Sequence, residues 1–251
     1  MNPDEYEAMF RAQDSLWWYR GMERITRGIL NRHYRPGSGL KILDAGCGTG
    51  ASFRLLSEYG DLTALDFSPL ALGFCRKQAA DRLIRGTVNQ LPLQTGVFDL
   101  VVSFDVICCL GVNDEAALGE FERVLRPGGR LLLRLPAYNW LRGAHDRAVD
   151  IRERYTAASL KRRLRGAGFD VERTTYANTL LFPLAALKRL GEHAFNSPRR
   201  TSDLTLNYGR LQGLFEAVLS SEAALLPLIR LPFGLTIVAV GKKDEAIANE
   251  P

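Results

Sequence analysis

Asp44, Gly46, Cys47, Gly48 and Gly50 fall within seven residues, and a second carboxylate, Asp66, follows Gly46 by twenty. Glycines after an apolar run let the backbone turn sharply and lie against a ligand. The amides that open the next helix can then bind an anionic group. A carboxylate closing the following apolar run is placed to accept hydrogen bonds from ribose hydroxyls. Gly46, Gly48 and Ala51 satisfy G-x-G-x-x-G/A, a pattern that equally describes a nicotinamide-dependent oxidoreductase. Asp44 separates the two readings. It would repel a pyrophosphate but suits the α-amino group of a methionine moiety.

The remaining reactive side chains are sparse. His145 has the residue type of a general base, with a surface or structural role as the alternative. His33 and His193 have no chemical neighbours in sequence. The cysteines Cys47, Cys75, Cys108 and Cys109 form no CxxC pair and no zinc-like spacing, so no metal site is expected. Cys47 reads as a small packing residue, and Cys108-Cys109 lacks a paired base. Trp17, Trp18 and Tyr19 cannot all face one core from a helix, which predicts that one covers the cofactor or substrate mouth.

These residues need elements to hold them. Leu40 to Ala45, Leu62 to Leu65, Leu83 to Val88, Val97 to Phe104 and Arg130 to Leu135 read as strands. Helices are expected at 4–35, 51–59, 69–80 (capped by Ser68, with Pro69 first) and 115–125. Phe169 to Tyr176 and Leu235 to Val240 complete seven strands, with a helix over 156–166. The alternation predicts an α/β fold: a doubly wound, mostly parallel seven-stranded sheet of Rossmann-like type. An N-terminal helical cap (1–38), a cofactor core (39–136) and an irregular, Arg- and aromatic-rich substrate loop (137–155) are expected. The rest of the sheet (156–241) carries a helical insertion at about 178–230, and 242–251 is a polar tail. All belong to one catalytic domain.

Composition narrows the class. The chain has 251 residues, 46% of them hydrophobic and 24% charged, which suffices for a core without disulfides. The acidic N-terminus does not read as a signal peptide and the apolar runs are too short to span a bilayer, so a cytoplasmic protein is expected. Residues 123–165 hold twelve Lys/Arg against three Asp/Glu. Either this is a solvated face, or some of Arg134, Arg142, Arg147, Arg152 and Arg154 meet an anionic substrate.

The blocks LDAGCGTG (43–50), LDFSP (65–69), NQLPL (89–93), FDLVVSFDV (98–106) and RVLRPGGRLLL (123–133) occur in an order and spacing that resembles class I S-adenosylmethionine-dependent methyltransferases of the methyltransferase type 11 family. The segments Trp17 to Gly21, LPAYNWL (135–141), AHD, RYT and NTLLFP resemble a bacterial subgroup associated with polysaccharide, lipid or natural-product pathways. The resemblance implies that S-adenosylmethionine is the cofactor. Asp44, Gly46, Cys47 and Gly48 would hold its methionine end, Asp66 the ribose, and Phe67, Thr87, Val88 and Asn89 the adenine. Asp105, Trp18 and Arg20 would complete the cofactor site. Two departures stand out: Thr87 replaces an acidic residue, and Ile151 stands where the subgroup tends to have His.

Methyl transfer needs alignment and exclusion of water more than a dedicated catalytic group. Past the strand ends, His145, Asp105 and Tyr138 are the catalytic candidates. Trp17, Cys108, Tyr138, Trp140, His145, Arg152 and Tyr155 are the acceptor candidates. The expected partner is a small-molecule acceptor, anionic or partly apolar, such as a prenyl diphosphate or a lipid-linked or natural-product intermediate. A nucleic-acid methyltransferase is the alternative, ranked lower because no RNA-binding module is appended. A monomer or homodimer is expected.

Overall fold

A computed structural model describes residues 3–78, 82–194, 209 and 211–245. At its centre, β4 (Phe98–Phe104) is buried at six of seven positions, which explains its unbroken apolar sequence. Around it lie β1 (Leu40–Ala45), β2 (Gly60–Asp66), β3 (Leu83–Arg85), β5 (Leu125–Pro136), β6 (Phe169–Ala177) and β7 (Thr236–Lys243). The sheet order is β3-β2-β1-β4-β5-β7-β6. Only β7 runs against its neighbours, pairing antiparallel with β5 and β6, while the remaining pairs are parallel. The mostly parallel seven-stranded sheet expected from the sequence is therefore the observed one.

Period-two alternation sends successive side chains to opposite faces. Leu43, Ala45, Val101, Leu131 and Leu133 pack on one side with α5 (Asp114–Val124) and α7 (Ala157–Gly166). Ile42, Leu100, Val102, Leu132 and Val240 pack on the other beneath α2 (Trp17–Leu30) and α9 (Leu211–Leu225). Burying each such side chain contributes about 1.5–3 kcal/mol. Gly21 permits the α2–α9 contact, since a Cβ there would stand 2.4 Å from Leu219 Cδ2.

Several boundaries differ from expectation. The 4–35 helix is two helices, α1 (Pro3–Ala12) and α2, because the backbone is extended at Leu16. The second core helix is shorter, α3 (Phe53–Ser57). The next, α4 (Pro69–Arg76), opens as read, with Ser68 Oγ accepting from Ala71 N at 3.3 Å. β3 stops at Arg85, before an isolated Thr87–Gln90 bridge. The loop after β5 holds a 3-10 turn (Asn139–Leu141) and α6 (Ala144–Ala148). The insertion contains α8 (Phe182–Ala194) and α9; the expected helical content over 195–208 and the end of the tail lie outside the described residues, as does the side chain of His193. No described helix is long and apolar enough to cross a membrane.

Candidate active site

The carboxyl ends of β1, β2, β4, β5 and β6 share one rim, and the sheet order reverses between β1 and β4. Ligands in doubly wound sheets bind at that reversal. Asp44 closes β1 with 2% of its surface exposed, and Ser52 Oγ donates to its Oδ2. Burial pushes its carboxyl up to about 7, opposed by the Ser52 hydrogen bond.

The chain then turns through Gly46 and Gly48, at φ +87° and +55°. Gly46 is sterically fixed, since a Cβ there would stand 2.3 Å from Val106 Cγ2. Gly46 N and Cys47 N donate to Leu65 O at 2.8 and 3.0 Å, tying the turn to β2. Gly48 N donates to Asp66 Oδ2 at 2.9 Å, and Ser68 N to Asp66 Oδ1 at 2.8 Å. Burial raises the pKa of Asp66 against these amides. The carboxylate oxygens retain lone pairs for further donors.

Cys47 is buried with its Sγ 3.7 Å from Cys75 Sγ, in keeping with packing. Phe67, 72% exposed, stands free on the rim. Val88 is buried just past the end of β3. The Asn89 side-chain amide donates to Gly111 O at 2.9 Å and accepts from Asn113 N at 2.9 Å, clamping a loop. Thr87 remains half-buried at the turn.

At the end of β4, Asp105 adopts φ +61° and accepts from Arg134 Nε and Nη2, both at 3.1 Å. The Arg134 guanidinium lies 4.5 Å from the Phe104 ring centroid and 5.0 Å from that of Trp18. Trp18 therefore faces this cluster. Burial pushes the Tyr19 hydroxyl well up, opposed by Arg134 and reinforced by Asp105 and Glu5.

Other expected site residues are not brought here. Arg20 is exposed, donates to Asp14 O at 3.1 Å and pairs with Glu216 of α9 at 3.4 Å. Trp17 is buried against Phe215, ring centroids 5.3 Å apart. Cys108 is fully buried, as is Tyr155, whose hydroxyl donates to Asp114 Oδ2 at 3.1 Å. Arg152 turns to Asp114 at 3.7 Å, and Arg154 grips buried Asp146 at 2.6 Å. Arg142 donates to Ile151 O at 2.7 Å. Much of the basic stretch is therefore consumed by internal pairs. His145 is half-buried on α6.

Past β5 the rim becomes aromatic. Tyr138, at φ +57°, stacks on Tyr176 at 5.3 Å and 11° and on Trp140 at 6.1 Å and 29°. Phe182 packs edge-on to Tyr138 and Trp140, both at 5.9 Å, and meets Phe233 at 5.4 Å. Burial and the Tyr176 hydrogen bond push the Tyr138 hydroxyl well up. Asp105, Tyr138 and Asn178 place left-handed, non-glycine backbone at three strand ends, and such strain clusters at functional sites.

Phe182, Tyr176 and Phe233 escaped the sequence reading because they gather from three separate segments. Met9 and Gln13 of the N-terminal segment also reach the glycine turn, and Tyr6 reaches Ser68; their three- and four-residue spacing was the available signal. Among the described residues, no group of three or more His, Cys, Asp or Glu is arranged to hold a metal ion.

A sheet of this order, with a glycine turn at its reversal and carboxylates near the ends of β1 and β2, defines a Rossmann-like fold with a candidate cofactor site. A family described as a methyltransferase domain matches residues 43–133. The malonyl-[acyl-carrier protein] O-methyltransferase of Serratia marcescens is 34% identical over 211 residues, 78% of this chain and 81% of that enzyme. Demethylmenaquinone methyltransferase of Mycobacterium bovis is 40% identical over 126 residues, 49% of this chain and 48% of its own length. Several other curated relatives align over about half their length or less. The fold is shared by geranyl diphosphate C-methyltransferase from Streptomyces coelicolor, with a TM-score of 0.56 and 14% identity over 86% of this chain and 76% of that one. The chain belongs to the class I S-adenosylmethionine-dependent methyltransferases, which sets the oxidoreductase reading aside.

Proposed function

We propose that this methyltransferase acts on a small, largely apolar acceptor that lies against the Tyr138–Trp140–Phe182 shelf. The chemistry supplied by bound S-adenosylmethionine is a methyl on a sulfonium, released in line to a nucleophile. The residues present fit that group. Asp44 would face its α-ammonium, the backbone at Gly46 and Gly48 leaves room for the methionine end, Asp66 would accept from the ribose hydroxyls, and Phe67 would flank the adenine. Asp105, fixed by Arg134, would border the transfer site and hold the local charge.

The aromatic shelf is the observation that carries the acceptor class. Trp140 is 46% exposed and Phe233 41%, while Arg134, Arg142, Arg152 and Arg154 already have partners. Exposed aromatic surface beside cations already engaged by protein acceptors favours a planar or prenyl-like acceptor over a diphosphate. The same pairing weighs against nucleic acid, whose phosphates need free cations.

The test is a competition among three acceptors: a prenylated hydroxyarene, a prenyl diphosphate and a malonyl thioester. Methylation of the hydroxyarene with the highest kcat/KM is expected. A preference for the diphosphate or the malonyl thioester would overturn the apolar reading and leave the enzyme class intact.

A further inference from the structure

α1 buries none of its residues fully, yet it lies across both lips of the crevice at the ends of β1 and β2. Tyr6 shares a hydrogen bond with Ser68. Met9 Cε lies 3.9 Å from where a Cβ on Gly48 would stand. Gln13 Oε1 accepts from the Thr49 hydroxyl at 2.8 Å. Phe10 packs on Phe74 of α4 at 4.9 Å, with Lys77 Nζ 4.9 Å from the Phe74 centroid. A short helix held by a few partly exposed contacts opens at little cost in free energy.

Glu5 sits on this helix. Its Oε2 is shielded from solvent and has no hydrogen-bond partner. Its charge reaches Tyr19, where the charges of Asp105 and Arg134 also converge. Arg134 acts on Asp44 as well, and Asp44 feels Asp66. Asp105 and Asp44 thus share one guanidinium, which Asp105 already engages, and Glu5 adds a further negative charge near Tyr19. A shielded carboxylate oxygen without a hydrogen-bond partner is unfavourable, and a cation entering the crevice relieves it.

We propose that Glu5 makes α1 a charge-reading lid: its carboxylate favours closure over the sulfonium cofactor and not over the neutral thioether product. The inference rests on the S-adenosylmethionine reading. Methyl transfer leaves S-adenosylhomocysteine with one positive charge fewer, while its ammonium and carboxylate are unchanged. The lid would therefore hold the reactive form and release the spent one.

The test is calorimetric titration of the full chain with S-adenosylmethionine, S-adenosylhomocysteine and an unreactive analogue bearing an amine in place of the methylsulfonium. Wild type is expected to prefer the two cationic ligands. Glu5→Gln should lower that preference about tenfold, by weakening the cationic ligands and sparing the thioether. Phe10→Ala, which loosens the lid without changing charge, should weaken all three together. An unchanged preference in Glu5→Gln, or an equal change in Phe10→Ala, would overturn the proposal. Failure of wild type to bind either sulfur compound would instead strike down the cofactor reading, and the proposal with it.

Discussion

The two halves of the rim are built on different principles. On the β1–β2 side the site is local: residues 44–50 and 65–68 are tied together by hydrogen bonds of 2.8–3.0 Å from backbone amides to Leu65 O and the Asp66 carboxylate. On the β5–β6 side it is assembled from distant segments: Tyr138, Tyr176, Phe182 and Phe233 meet as stacked, tilted or edge-on rings. A ligand recognised by its backbone-sized polar groups demands particular φ angles and close approach, so it leaves a compact motif. A ligand recognised by shape and apolar area demands only bulk at the right place, which many sequences supply.

Replacing Gly46 by Ala should break the first half outright. The left-handed backbone costs an ordinary residue about 1–2 kcal/mol, and the added methyl runs into Val106. Loss of about 2–4 kcal/mol of stability and at least about a hundredfold in cofactor affinity are expected. Urea unfolding and calorimetry would measure them. Normal cofactor affinity in this variant would show that the turn does not shape the site.

Asp44 sharpens the comparison through pH. Its folded pKa of about 7 lies above the ordinary 3.8, so the folded chain keeps a proton that the unfolded chain has shed between these values. The stability this group contributes is full below about pH 4 and falls as pH rises to about 7. An ammonium beside it needs the carboxylate, so cofactor affinity should rise about tenfold between about pH 6 and about pH 8. Binding near pH 6.5 should release protons, detectable by comparing buffers of different ionisation heat. Asp44→Asn should bind more weakly and without that slope; a slope that persists would assign the titration to another group.

The same contrast explains what could be read from sequence. The buried run of β4, the Ser68-Pro69 helix start and the glycine turn are each decided by neighbours within a few residues, and each was legible. Which of Trp17, Trp18 and Arg20 faces the rim was not, because successive helical residues diverge by about 100° and only the packing of α9 selects a face. Trp17 meets Phe215 and Arg20 meets Glu216, while Trp18 turns to Arg134. The basic excess stayed ambiguous for a related reason. Its counter-charges, Asp105, Asp114 and Asp146, lie on other elements or across a loop, so a count of charge along the chain could not pair them.

Trp140→Ala tests whether the halves are independent. Trp140 is half-exposed and contributes two ring contacts, to Tyr138 and Phe182, so its loss should cost about 1 kcal/mol of stability at most. An apolar acceptor lying on the shelf would lose ring contact worth roughly 1 kcal/mol, raising its KM about fivefold, with kcat little changed if the contact is equal in ground and transition states. Cofactor affinity should stay at the wild-type value, because no Trp140 ring contact reaches the glycine turn or Asp66. A parallel fall in cofactor affinity would mean that the shelf and the turn are coupled through the rim, and the division of the site into two separately built halves would fail.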